Sequence, residues 1–326
     1  MNGQSKTYYA KILLFGEYSV IKNSMALTIP YSHFNGELSF LNTEKYTDYD
    51  FAKHSNKKLY NFWGYIKKLI AQQKLDFQFD TDQFARDLEK GLYFESSIPE
   101  GYGVGSSGAL IAALFEKYGN QQVNKSSYNY SSKIMSKLKQ DMALLESYYH
   151  GTSSGIDPLN AYIKKPLLFK GNGEVQIVNI NLPTHNPDFA VFLINSGQKG
   201  KTSPLVNIFL EKTESTGENR IDAQHLNALT NNAIRSIIEG ENHSFFENLT
   251  RLSAYQLDHF SPMIPGGFST LWRKGLENEN YYLKLCGSGG GGFILGFTDD
   301  FPSVRKIMSS RDIDIHPVYV HELSEP

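Results

Sequence analysis

The chain has 326 residues, enough for two domains of ordinary size, and its 40% hydrophobic, 13% aromatic and 20% charged residues suit a packed globular protein. A formal charge of -2 supplies no long-range field to attract nucleic acid or an acidic membrane surface, and the single cysteine, Cys286, excludes an internal disulfide and a Cys-based zinc site. Residues 1–9 are polar, without the apolar core of a signal peptide, and no apolar run is long enough to span a bilayer; the expectation is a soluble cytoplasmic protein with neither nucleic acid nor membrane as partner.

In chain order, the apolar run 8–15 ends at Gly16-Glu17, and residues 26–29 follow after a polar break, a pattern that predicts paired strands. Residues 40–58, rich in charge and tyrosine without a clean period, read as an irregular excursion. Helical spacing appears over 62–72 and again over 107–118, where Leu110, Leu114, Phe115 and Tyr118 share a face and Gly119 supplies a stop. The clearest stripe is Ile134, Met135, Leu138, Met142, Leu145 and Tyr149, with Gly151 just past its end. Strand-like runs follow at 166–169, 175–180 and 189–194, then two helical patterns between Leu226 and Leu257, then a strand-glycine-strand unit over 281–297. Mixed elements without regular strand-helix alternation predict an α+β fold, and the loop around Pro183 and Pro187 is the expected boundary between domains 1–184 and 185–326.

Two glycine-rich segments carry phosphate-binding character. Residues 99–108 read Pro-Glu-Gly-Tyr-Gly-Val-Gly-Ser-Ser-Gly and run into the helix expected from Ser107. Glycines allow the backbone to approach a phosphate, and unpaired amides at a helix N-terminus point at the anion; an ordinary turn with serine caps is the plain alternative. Residues 284–292 read Lys-Leu-Cys-Gly-Ser-Gly-Gly-Gly-Gly and satisfy G-x-G-x-x-G, but the strand-like Phe293-Ile294-Leu295 that follows rejects a dinucleotide fold. This segment is either a flexible hairpin loop or a loop that closes over a nucleotide. Gly200-Lys201-Thr202 imitates the end of a P-loop, yet position 195 is Asn195 and no clean helix is expected after it.

Three charged residues stand out against this frame. Glu146 sits in the last turn of its helix, where a carboxylate opposes the macrodipole, and reads either as a Mg²⁺ ligand or as a solvated surface glutamate. Asp157 lies in a run of small residues before Pro158 that predicts a tight turn. Lys11 falls inside the first strand, where it either discourages edge association or, if near Asp157, assists deprotonation of a hydroxyl.

Together and in this order, the segments resemble the three signature motifs of the GHMP kinases. Residues 11–20 (Lys-Ile-Leu-Leu-Phe-Gly-Glu-Tyr-Ser-Val) are similar to the first, 99–109 to the second and 284–292 to the third, while Glu146 with residues 150–157 is similar to a stretch found in the mevalonate kinase branch. The resemblance implies a GHMP kinase fold, with an N-terminal domain like domain 2 of ribosomal protein S5 and a ferredoxin-like C-terminal domain. It further implies phosphorylation of mevalonate with ATP and Mg²⁺ by a monomer or homodimer, with phosphomevalonate kinase or another small-molecule kinase of the family as the alternative, and a non-catalytic ligand-binding protein of the same fold as the alternative of another class.

Site roles carried over by the resemblance are these. Asp157 would be the catalytic carboxylate and Lys11 the partner favouring its ionised form; Ser107 and Glu146 would hold Mg²⁺. Pro99, Gly101, Gly103, Val104, Gly105, Ser106, Ser107 and Gly108, with Gly287, Gly289 and Gly290, would bind the nucleotide. Glu17, Tyr18, Ser154, Thr202 and Gly291 would serve the substrate. The chain departs from the branch at Tyr18, where a histidine is usual; Val104, Gly108, Cys286 and Ser288 are mild changes, and Ser153 in place of proline is tolerable as well.

Overall fold

The computed structural model describes residues 6–41, 48–119, 131–183, 185–200, 202–216, 220–278 and 280–320. The chain divides into two compact units. Met1–Lys11, Pro30–Pro99 and Gly105–Lys165 make up the first, and Ile12–Ile29, Glu100–Val104 and Pro166–Pro326 the second. Strands β1 (Tyr8–Phe15) and β2 (Ala26–Phe40) each contribute residues to both. The architecture is α+β, as expected.

In the first unit β2 pairs antiparallel with β3 (Leu92–Ser96), with Leu38 opposite Phe94. Helix α1 (Tyr49–Ala71) packs on β3 and on α2 (Thr81–Glu89), burying Ala52, Leu59, Phe62, Ile66 and Leu69. Its cap is Asp48, whose carboxylate accepts the Phe51 amide at 3.0 Å. The irregular excursion expected at 40–58 is therefore corrected: residues 49–58 are helical. Before Leu59 only Ala52 of this helix is buried, so the first two turns show no apolar period to read. Residues 42–47 lie outside the described residues.

Helices α3 (Ser106–Tyr118), α4 (Ser132–His150) and α5 (Ile156–Ile163) pack mutually in the same unit. The α4 stripe is buried at Met135, Leu138, Met142 and Leu145, whereas Ile134 is exposed. Helix α5 replaces the turn expected around Asp157. It opens after Gly155, at φ 71°, and takes Pro158 in its first turn, where a missing amide hydrogen sacrifices no intrahelical bond. Proline and small residues are turn signals as well, which is why the helix was not legible.

In the second unit β6 (Ala190–Asn195) and β8 (Phe293–Thr298) lie at the centre of an antiparallel sheet of order β7-β8-β6-β9, with β7 at Tyr282–Leu285 and β9 at Ile315–Val320. The start of β2 pairs with β4 (Leu167–Phe169), and β4 with β5 (Val175–Ile177). Helices α7 (Ala223–Glu239) and α8 (Asn242–His259) pack together, and α8 also packs on β7 and on α9 (Phe268–Asn278). Helix α10 (Phe301–Ser309) is capped by Asp300. Helix α6 (Thr202–Glu214) follows Gly200 directly, contrary to the expectation that no helix does; it buries Leu205 and Phe209, too short a stripe to show in the sequence. Among the described residues no helix is long and apolar enough to cross a membrane.

The interior of this unit contains an ion pair. Lys284 on β7 contacts Glu17 Oε1 at 2.5 Å, both side chains are shielded from solvent, and the same ammonium donates to the Leu285 carbonyl at 2.7 Å. Removing one partner strands the other charge in the core. Lys284→Met is expected to destabilise the protein by about 3–5 kcal/mol, and the double variant with Glu17→Gln to recover much of that loss. Chemical denaturation tests this; a Lys284→Met midpoint equal to the parent's would contradict it.

Candidate active site

The charged residues singled out in the sequence converge within the first unit. Lys11 Nζ lies 3.0 Å from Asp157 Oδ1, with the lysine buried and the aspartate side chain 30% exposed. Strand β1 supplies the lysine from the end of its sheet, and the first turn of α5 supplies the aspartate. The two are fitted around a glycine. Gly105 caps α3 at φ 79°, and a side chain there would meet Lys11 Cγ at 3.0 Å and Asp157 Oδ2 at 3.4 Å. One turn into α3, Gly108 lies against Asp157, so that a Cβ would stand 2.8 Å from its backbone carbon. Ser106 opens α3 and Pro99 ends a segment of this unit.

Glu146 is not a surface residue. Its carboxylate is buried in the last turn of α4, where Ser107 Oγ donates to Oε1 at 2.8 Å and Ser153 Oγ donates to Oε2 at 2.5 Å. Burial pushes the Glu146 carboxyl up to about 7 and the charge of Asp157 adds to the rise, while the two serine hydroxyls and Lys11 oppose it. Ser153 is a functional candidate that sequence reasoning passed over as a tolerated change from proline; the signal was a hydroxyl where the branch has none. Ser153 also accepts the Gly155 amide at 3.0 Å, and Ser154 Oγ accepts the Ile156 amide at 3.4 Å.

The donors gathered here are carboxylate and hydroxyl oxygens, the hard ligands that Mg²⁺ takes, and a buried carboxylate raised by its acidic neighbour is relieved by a divalent cation. No group of three or more His, Cys, Asp or Glu side chains forms a metal cage among the described residues. Mg²⁺ is commonly bound through one or two carboxylates with water and phosphate, and the oxygen donors of Glu146 and Ser107 fit that set.

In the second unit the two glycine-rich segments interlock. Gly103 has φ 78°, and a Cβ on it would stand 2.6 Å from the Cys286 carbonyl oxygen. Val104 beside it is buried. Gly287 packs on Gly103, and Gly290 N donates to the Met263 carbonyl at 2.5 Å. A third segment joins them: Gly200 N donates to Gly101 O at 2.9 Å, Gly292 N donates to Gln198 O at 2.6 Å, and Gly289 and Gly291 pack on Gly200. The rejected P-loop imitation thus sits against the glycine loop, although β8 follows that loop as a strand and rules out a dinucleotide fold as expected. Glu17 is held by Lys284 in the core, and the Tyr18 hydroxyl donates to the Ser288 carbonyl. Thr202 opens α6; its side chain lies outside the described residues.

A carboxyl that titrates near neutrality marks the ligand-free protein. Because the folded-state value of Glu146 is raised from 4.5 to about 7, folding favours its neutral form; that contribution is complete below the unfolded value and is lost as pH rises through about 7. Denaturation of ligand-free protein at about pH 5 and about pH 8 should show a loss of stability on going to the higher pH that Glu146→Gln removes. An identical pH difference in parent and variant would contradict the burial argument.

No protein-family model matches the sequence, and no curated protein matches it at the sequence level. Solved structures do. The Methanococcus jannaschii mevalonate kinase superposes with a TM-score of 0.63 at 16% identity, over 97% of this chain and 98% of that one. Lactococcus lactis galactokinase, complexed with galactose, gives 0.66 at 15% identity over 98% and 94%. Streptococcus pneumoniae phosphomevalonate kinase, in complex with phosphomevalonate and AMPPNP, gives 0.57 at 14% over 97% and 100%. These similarities span nearly the whole of each chain, and the protein has the fold of the GHMP kinases.

Proposed function

We propose that the protein is an ATP-dependent small-molecule kinase that transfers the terminal phosphoryl group of ATP to the C5 hydroxyl of mevalonate, giving 5-phosphomevalonate and ADP. The observation that carries this reading is the Lys11–Asp157 pair beside the buried Glu146. Phosphoryl transfer asks for positioning and charge neutralisation more than covalent chemistry, and this cluster offers both. Asp157, the more exposed partner, is placed to take the proton of the acceptor hydroxyl as its oxygen attacks phosphorus and the bond to the ADP oxygen breaks. Lys11 brings an ammonium to the charge developing on the acceptor oxygen.

Glu146 and Ser107 would hold Mg²⁺, which when bound neutralises charge on the transferring phosphate. The first-turn amides of α3 are suited to phosphate, and in the second unit, taken by itself, the glycine loop would bind nucleotide, as the resemblance implies. One structural neighbour was solved with AMPPNP, which accords with that assignment. Mevalonate as acceptor rests on the first motif and on the stretch from Glu146 to Asp157.

ADP release measured with mevalonate, 5-phosphomevalonate, galactose and homoserine in parallel should respond to mevalonate. Turnover with 5-phosphomevalonate alone would move the acceptor assignment, and ADP release with none of the four would count against the kinase reading. Asp157→Asn and Lys11→Met should each lower kcat by about 10²–10⁴-fold while ATP affinity changes little, and the losses should not multiply in the double variant. Near-parental turnover in folded Asp157→Asn would overturn the general-base role.

A further inference from the structure

Tyr18 occupies a backbone conformation that a side chain adopts at a cost, with φ 62°. Such a conformation persists only where surrounding contacts enforce it, and here they do. The ring is buried against Phe209 and Phe260, with centroid separations of 5.0 and 5.4 Å, and those two rings stack on each other at 6.0 Å; the Tyr18 hydroxyl donates to the Ser288 carbonyl in the middle of the glycine loop. The preceding residue grips the same segment from its other end, since Glu17 pairs with Lys284 on β7, two residues before Cys286. Adjacent residues of the first motif therefore fasten the third motif at two points, one ionic and one through a neutral hydrogen bond.

We propose that Tyr18 is a positioning residue for the glycine loop at 286–292, acting through the Ser288 carbonyl, and that it sets nucleotide affinity rather than contacting the acceptor. A hydroxyl whose proton is committed to a backbone carbonyl, on a buried ring packed against two phenylalanines, has no donor left for a substrate. What it does offer is a fixed loop. The Gly290 amide is anchored to Met263 and the Gly292 amide to Gln198, and the Tyr18 bond adds a restraint on the loop's first half. A loop held in shape before ligand arrives loses less conformational freedom on binding. This inference rests on the reading that the loop receives nucleotide phosphates.

Tyr18→Phe removes the hydroxyl and keeps the ring. Hydrogen exchange followed by mass spectrometry, on ligand-free protein, should show faster exchange in peptides covering 286–292 with unchanged protection in α7 and α8. Loss of one neutral hydrogen bond should raise the ATP dissociation constant and KM for ATP about five- to tenfold, leaving KM for the acceptor and kcat within about twofold. Parental loop exchange in the folded variant, or an effect confined to KM for the acceptor, would overturn the proposal. If Tyr18→Phe does not fold, the residue is a core residue first and the proposal also falls. A parent protein that binds no ATP refutes the nucleotide reading of the loop, and is recognised separately because the exchange difference does not depend on ATP.

Discussion

Lys11 stands 3.0 Å from Asp157, and its ammonium also acts on Glu146, so a single cation is shared by two carboxylates in a largely buried cluster. One positive charge cannot balance two negative ones away from water. Burial, and after it the charge of Asp157, favours the protonated carboxyl, and Glu146 is pushed up to about 7. The alternative relief is a second cation, and a site that exchanges a proton for a divalent metal is suited to holding a charged phosphate donor. Burial of Glu146, the fit of Gly105 against Lys11 and Asp157, and the two serine hydroxyls on Glu146 all serve this arrangement.

The second unit is organised by a different constraint, the close approach of backbone to backbone. Three segments far apart in sequence, 101–104, 198–200 and 286–292, touch through glycines, and a methyl group on Gly103 would meet the Cys286 carbonyl at 2.6 Å. Backbones this close leave no room for a side chain at these glycines. The buried Glu17–Lys284 pair secures the same loop just before its glycines and the Tyr18 hydroxyl secures it at Ser288 among them, both through residues of the first motif.

Residues whose chemistry depends on a short stretch of chain were legible from the start. Gly105 before a helix and Lys11 in a strand are local patterns; the α+β class followed from the mix of elements, and the GHMP kinase fold from the order of the three motifs along the chain. Other features needed three dimensions. The bond from Ser153 to Glu146 depends on the turn between α4 and α5, and the seating of Gly200 depends on the loop at 286–292. Helices α5 and α6 were missed because one begins with turn-forming residues and the other buries only two large side chains. The first turns of α1 were missed because their inward face is made of Ala52, Ser55 and Asn56, small and polar residues that show no apolar period.

The most direct measurement of the central claim is ³¹P nuclear magnetic resonance of the protein with ATP, Mg²⁺ and mevalonate. The account predicts a new phosphomonoester resonance growing in step with ADP, and its absence when Asp157 is replaced by asparagine. Inorganic phosphate appearing in place of the phosphomonoester, or a phosphomonoester formed at the parental rate without the Asp157 carboxylate, would contradict it.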